Sequence, residues 1–329
     1  MSNTLNTAVR EDLSAIGTVW LIGAGAMAVD YAAVLSAMGI RPIVIGRRAE
    51  SAAAFLEKTG ISVEVGGLDH FLSQQPDVPY AAIVATPVEV LAANTIALMR
   101  YGVRHILTEK PAGLNAPEIA NVQEVAEQTR AAVYVAYNRR FYSAVEQAKA
   151  MIAEDGGLTS CHFEFTEWGH TIEGLPKPKE VFDAWLLANS SHVIDLAFHL
   201  AGEPVEMKSY TGGSLSWHPQ GAVFTGSGKT DQNVLFSYCA NWDAPGRWSL
   251  EAMTRNYRLI FRPMEQLHLW RKGTVAIEKV EIEDGLDLQF KPGLYRQTRA
   301  FLQNDLQQLC TIEEQSRMAH HYHQILTGA

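Results

Sequence analysis

The octapeptide Leu21-Ile22-Gly23-Ala24-Gly25-Ala26-Met27-Ala28 constrains this chain more than any other segment. It has the form G-x-G-x-x-A, and it joins an apolar run that reads as a strand, TVWLIGAG, to a segment that reads as a helix. In that position Gly23 permits a tight turn, Gly25 lets the backbone approach a pyrophosphate, and Ala28 is small enough for close helix–sheet contact. The helix start at Ala26 and Met27 presents free N–H groups and the positive end of its dipole to the phosphates. The bland alternative is a glycine turn that holds nothing. The surrounding pattern argues against it.

From Gly17 to about Tyr137, short apolar runs (TVWLIGAG, IRPIVIG, AAIVAT, GVRHILTEK and AAVYVAY) alternate with amphipathic helical stretches. Continuous apolar strands separated by helices indicate a parallel sheet covered on both faces. The expected fold class is therefore α/β, with an N-terminal doubly wound parallel sheet of the Rossmann type. After Phe141 the pattern changes to alternating strands, from SCHFEFTEW to VAIEKVEI, with one helix near 190–201 and two more closing the chain. This predicts a C-terminal α+β domain built on a large, mainly antiparallel open sheet. A chain of 329 residues favours two domains, since single cores rarely grow beyond ~250 residues. The expected boundaries are a frayed extension over 1–16, a dinucleotide-binding domain over 17–140 and a substrate-binding and oligomerisation domain over 141–329. The last helices either stay with the second domain or pack back on the first.

Composition excludes several classes of partner. The net charge of −9 leaves no basic footprint for nucleic acid or an anionic membrane. No apolar run approaches the ~20 residues of a membrane span, and the polar N-terminus lacks the apolar stretch of a secretory signal. Cys161, Cys239 and Cys310 are far apart and have no metal-type spacing, which fits a reduced, cytoplasmic protein. The closing run Met318 to His323, with three histidines, has no carboxylate or cysteine at metal-binding spacing and reads as helix surface or core. No metal is expected.

The end of the second strand bears on the nucleotide. An acidic residue there usually holds the ribose 2′-OH of NAD. Here Gly46 occupies that place, followed by Arg47 and Arg48. No carboxylate repels a 2′-phosphate, and two guanidiniums stand ready to pair with it. NADP(H) is thus the expected cofactor, with NAD(H) as the alternative; the bland reading leaves both arginines as solvated surface groups.

A further strand ends at Glu109-Lys110-Pro111, where the proline pushes Lys110 out of the helical region. Together with Gly23 to Ala28 and the strand-ending Ala85-Thr86-Pro87, this turn resembles the glucose–fructose oxidoreductase, inositol dehydrogenase and MocA family. The likeness covers about residues 17–205. It implies that Lys110 sits near the nicotinamide and polarises a substrate oxygen, that Thr86 and Pro87 line the nicotinamide-ribose region, and that Glu109 faces the cofactor. A cis Lys-Pro bond is also carried over from it.

In the second domain, Asn189, Ser190 or Ser191 can cap a helix that Gly202 ends. The spacing H-x-x-D-x-x-x-x-L-x-G from His192 resembles the family's second catalytic segment and implies a general acid/base at His192. A histidine in a first helical turn feels the positive dipole end, which favours its neutral form. Many relatives carry an aspartate four residues earlier; here Ala188 stands there, which leaves the catalytic set open. Candidate substrate contacts are Asn138 and Arg139, which the resemblance places just beyond a strand end near the active site, and Asn189 and His192 of the histidine helix. Trp185 joins them from a polar-aromatic cluster of a kind that suits sugars and phosphorylated or carboxylated ligands. The segments NRRF, ANSSHVIDLAF and WDAPGRW look similar to oxidoreductases of bacterial surface-glycan synthesis, which implies a sugar or nucleotide-sugar substrate.

The expectation is an NAD(P)-dependent oxidoreductase acting on CH–OH/C=O groups of a sugar-like small molecule, as a homo-oligomer, such as a dimer, formed through the C-terminal sheet. The competing readings are a non-catalytic NAD(P)-binding sensor of the same family and a reductase of an imine or other unsaturated bond.

Overall fold

A computed structural model describes residues 12–328. The chain divides into two compact units. The first runs to Phe141 and takes in Asp284–Ser316; the second is Tyr142–Glu283 with the stretch from Arg317 onward.

In the first unit, strands and helices alternate as β1 (Val19–Ile22), α1 (Ala26–Ala37), β2 (Ile43–Gly46), α2 (Ala49–Thr59), β3 (Val63–Val65), α3 (Gly67–Ser73), β4 (Ala81–Val84), α4 (Leu91–Tyr101), β5 (His105–Glu109), α5 (Ala116–Thr129) and β6 (Ala132–Ala136). All four residues of β1 and of β4 are buried, as a strand with both faces covered requires. Pairing is parallel from β3 through β2, β1, β4 and β5 to β6. Local chemistry fixes the helix ends. Asn115 caps α5 by accepting from the Glu118 N–H at 3.0 Å, while Glu118 accepts from the Leu114 N–H at 2.7 Å; each cap of this kind is worth about 1 kcal/mol.

Residues 1–11 of the expected extension lie outside the described residues. Residues 12–16 are not frayed: the Leu13 N–H donates to the Met38 carbonyl at 2.9 Å, and Leu13 and Ile16 pack on the core. These two apolar side chains dock residues 12–16.

The second unit comprises α6 (Ser143–Glu154), β7 (Ser160–Glu164), α7 (Gly169–Ile172), α8 (Lys179–Asp183), α9 (Ser191–Ala201) and the strands β8 (Pro204–Gly212), β9 (Val223–Thr230), β10 (Leu235–Asn241), β11 (Ser249–Met253), β12 (Tyr257–Phe261), β13 (His268–Arg271) and β14 (Ile277–Lys279). Its eight-stranded sheet has the order β14-β13-β12-β11-β7-β10-β9-β8, antiparallel except for the parallel pair β7–β10. Cys161, Phe163, Phe236, Tyr238, Leu250 and Leu259 alternate onto one buried face. There α9 lays Phe198 edge-on against Phe163 and Phe236, at 5.5 and 5.0 Å between ring centres.

The chain then returns to the first unit through α10 (Gly285–Gln289), α11 (Leu294–Gln303) and β15 (Cys310–Thr311) before ending in α12 (Ile312–Thr327). Residues 284–316 thus carry core of the first unit, one of the two places open to the closing helices. β15 adds antiparallel to β6, and α11 places Phe301 flat on His105, 4.1 Å between ring centres. No described helix is long and apolar enough to cross a membrane.

Candidate active site

The first unit's sheet reverses its strand order between β1 and β4, which opens a crevice beyond their carboxyl ends where open α/β sheets bind ligands. Both predicted loops meet there. The Gly23 N–H donates to the Ile45 carbonyl and the Ala85 N–H to the Ile22 carbonyl, each at 2.8 Å. Gly23 has φ +121°, and a β-carbon on it would lie 2.4 Å from the Ala85 oxygen. Gly25 is different. Its φ of −93° suits any residue, and a β-carbon there would meet nothing within 4 Å. Gly23 is thus required by the fold, whereas Gly25 borders open space that a ligand can enter.

Helix α1 starts at Ala26 with no side chain capping it, so its first N–H groups face the crevice without an internal acceptor. Ala28 is fully buried. Beside Met27, the Lys291 ammonium lies 2.9 Å from its sulfur and 3.5 Å from Asp30. Lys291 comes from the returning segment and carried no local signal. Thr86 accepts from the Asn94 amide at 3.2 Å, and Pro87 is exposed.

At the end of β2, Arg47 and Arg48 are exposed, and neither side chain has a hydrogen bond or ion pair among the described residues. Gly46 is held by packing as well. A β-carbon there would touch Val63 Cγ1 at 2.8 Å and Ala24 Cβ at 3.2 Å.

The Lys110–Pro111 bond is cis. Lys110 is half-buried, and the Ala112 N–H donates back to the Glu109 carbonyl at 3.0 Å to close the turn. Behind it, the Gln315 amide donates to the Pro111 carbonyl at 3.0 Å and accepts from the Tyr137 hydroxyl at 3.2 Å. Glu109 accepts from the Tyr31 hydroxyl at 2.8 Å, which ties the end of β5 to α1. Burial pushes the Glu109 carboxyl above its usual range, against the opposing pull of Tyr31, Lys110 and Lys291. Asn138 is buried and donates to the Pro292 carbonyl at 2.9 Å, so its amide anchors the returning segment. Arg139 beside it is half-buried, while Arg140 is buried and paired with Glu314 at 2.6 Å.

In the second unit the sequence expectation of a helix start at Asn189–Ser191 is overturned. A π-helical turn, Leu186–Ser190, runs straight into α9, and Ser190 has helical φ and ψ with no capping bond. The Asn189 amide and the Ser190 hydroxyl instead donate to Glu167 Oε1, at 2.9 and 2.8 Å. His192 therefore has helical residues ahead of it rather than the open first turn that the dipole argument needed. Insertions of this kind recur at functional sites. The His192 ring is nearly buried, 6.1 Å from Trp248. Trp185 is buried, stacks on Phe182 and meets Trp217 edge-on, with its indole N–H unpaired. Glu167 is 2% exposed. Its importance had no signal beyond the Glu-Trp pair, since its partners lie more than twenty residues away.

Residues 18–137 match the model of the GFO_IDH_MocA group, described as an oxidoreductase family with an NAD-binding Rossmann fold. No curated protein sequence gives a significant match. Among solved structures, the chain is similar to levoglucosan dehydrogenase in complex with NADH and L-sorbose (TM-score 0.76, 18% identity, covering 95% of this chain and 96% of that one). It is also similar to an inositol dehydrogenase homologue from Azotobacter vinelandii complexed with NADH and myo-inositol (0.74, 17%, 95% and 95%). A third is a UDP-N-acetylglucosamine 3-dehydrogenase from Acidithiobacillus ferrooxidans (0.72, 17%, 95% and 97%). At these identities the likeness establishes the fold over nearly the whole chain.

Proposed function

We propose that this chain, whose residues 18–137 match the model of an oxidoreductase family with an NAD-binding Rossmann fold, is an NADP(H)-dependent oxidoreductase of a secondary alcohol or ketone on a sugar-like substrate. The observation that carries the reading is the contrast between the two glycines. Gly23 is needed by the backbone, and Gly25 opens onto space beside an uncapped helix start. Those N–H groups would hold the pyrophosphate. Arg47 and Arg48, exposed and with no ion pair among the described residues, would clamp a 2′-phosphate, and position 46 offers no carboxylate to repel it.

The bound nicotinamide supplies or takes the hydride. With that group bound, His192 would accept the substrate's hydroxyl proton in the oxidative direction and return it in the reductive one. The Lys110 ammonium stabilises the negative charge that builds on that oxygen. Glu109, held by Tyr31, orients the turn that carries Lys110. Asn138, Arg139, Trp185 and Asn189 complete the proposed substrate-binding set. The solved relatives' sugar and polyol ligands support the substrate class, and the sheet face bearing exposed Tyr210 and Leu235 is the proposed surface for self-association.

The test is a turnover screen with NADP⁺ and NADPH against sugars, nucleotide sugars and keto acids, alongside Kd values for both cofactors. NADPH should bind at least tenfold tighter than NADH, and Arg47→Ala with Arg48→Ala should erase the difference. Tighter NADH binding would overturn the cofactor assignment. Turnover unchanged by Lys110→Ala and His192→Ala would overturn the mechanism, and cofactor binding with no turnover of any substrate would favour the sensor.

A further inference from the structure

At one end of the second unit's sheet, the β11–β12 and β13–β14 hairpins flank an open surface groove of about 330 Å³. Its lining holds four cations, Arg255, Arg258, Arg271 and Lys272, with Tyr257 and Trp270, and no carboxylate. This concentration of positive charge stands out in a chain of net charge −9. None of these residues belongs to the proposed oxidoreductase machinery.

The frame of the groove is fixed by short-range bonds. The Lys272 N–H donates to the Asn256 carbonyl at 2.8 Å, which ties one hairpin tip to the other. Asp155 accepts from the Asn256 N–H at 2.8 Å and its side-chain amide at 2.6 Å, and the Trp270 indole donates to the Thr274 carbonyl at 2.7 Å. On paired strands, Arg258 lies 5.8 Å over the Trp270 ring and Arg271 lies 5.5 Å over Tyr257. Stacking holds each guanidinium flat and leaves its N–H edge available.

Three of the four cations are answered in part, Arg255 by the nearby charge of Asp155. Arg258 pairs with Glu251 and, at a looser 3.8 Å, Arg271 with Glu278. The Arg255 and Lys272 side chains, at the two tips, have no hydrogen bond or ion pair among the described residues. Like charges gathered in a concavity repel one another and raise the local concentration of anions. Cations contributed by two adjacent strands, ~4.8 Å apart, span more than a single phosphate.

We infer that this groove binds an anion carrying two adjacent phosphate groups, through Arg255 and Lys272 with the stacked Arg258 and Arg271. The ligand could enter as an inorganic diphosphate or as the diphosphate of a nucleotide, and the shared chemistry is the diphosphate.

Calorimetric titration at low ionic strength tests this with inorganic pyrophosphate, orthophosphate, ADP and UDP. Pyrophosphate should bind at least tenfold tighter than orthophosphate. The double variant Arg255→Ser, Lys272→Ser should lose at least tenfold of that affinity, and Lys272→Ser alone at least threefold; both residues sit at exposed turns, and circular dichroism checks that the variants fold. Equal binding by ADP, UDP and pyrophosphate assigns recognition to the diphosphate alone, and tighter nucleotide binding adds the base to it; either supports the site. The glycine loop of the proposed function would also take a diphosphate, so the titrations are repeated with Gly25→Asp. Pyrophosphate binding lost in Gly25→Asp but unchanged in the double variant overturns the inference while leaving the oxidoreductase reading intact. No pyrophosphate binding to the unaltered chain overturns it as well.

Discussion

Gly23 and Ala85 approach so closely that a β-carbon on Gly23 would sit 2.4 Å from the Ala85 carbonyl oxygen, while Gly25, two residues on, would meet nothing. The two glycines should therefore fail in different ways. Gly23→Ala combines a backbone clash with φ +121° and should cost roughly 2–4 kcal/mol of stability, read as a lower urea midpoint. Gly25→Ala should change stability by no more than about 0.5 kcal/mol yet weaken nucleotide binding at least tenfold. Equal stability losses in both variants would remove the case that Gly25 faces a ligand.

Glu167 should be structurally exacting. Glu167→Ala strands the Asn189 and Ser190 donors in the interior and should destabilise the chain by about 2–4 kcal/mol. Glu167→Gln keeps an oxygen where Oε1 stands and should cost less than half as much. Denaturation curves that rank the two alike would show that those two bonds do not hold the π-turn before His192.

The three thiols should separate by reactivity. Burial pushes the Cys161 thiol up to about 12, and Cys310 is 1% exposed. Cys239 is exposed, though partial desolvation and Glu164 also raise its thiol, against Arg262. A disulfide reagent at pH 8 should label one thiol per monomeric chain, slowly, and Cys239→Ser should abolish it; Cys239 shares the sheet face of Leu235 and Tyr210, so self-association through that face should slow the labelling further. Rapid labelling of two or three thiols without denaturant would contradict the burial.

His218 should make the fold acid-sensitive. Burial lowers its affinity for a proton, outweighing its 2.7 Å hydrogen bond to the Gly221 carbonyl. The unfolded chain protonates this group near 6.5. As pH falls from that value toward the lower folded one, the unfolded state binds more protons and stability drops. Urea midpoints measured between pH 8 and pH 5 should fall less steeply in His218→Gln. Parallel slopes would mean that His218 does not contribute.

Much of this was legible in the sequence. The parallel sheet, the glycine loop and the switch to an antiparallel sheet all follow from local periodicity and spacing. What local reading missed depends on distant partners. Asn189-Ser190-Ser191 looks like a helix cap, but Glu167 takes up the Asn189 and Ser190 side chains, and the backbone continues through them as a π-turn. Gly46 was read as a statement about the nucleotide. Val63 and Ala24 supply a second reason for a glycine there, which no pattern along β2 could reveal. Gln315, which braces the Lys110–Pro111 turn at the Pro111 carbonyl, is 204 residues away.

The return of residues 284–316 has a practical consequence for anyone who wishes to recombine this scaffold. A fragment ending at Phe141 would lack α11 and β15, and would leave the β6 edge and the His105 and Tyr134 rings bare. Exchanging the second unit for another is a matter of three splices, after Phe141, Glu283 and Ser316, and the last of these falls within a single helix. Chimeras that respect only the first junction should be recovered as aggregates.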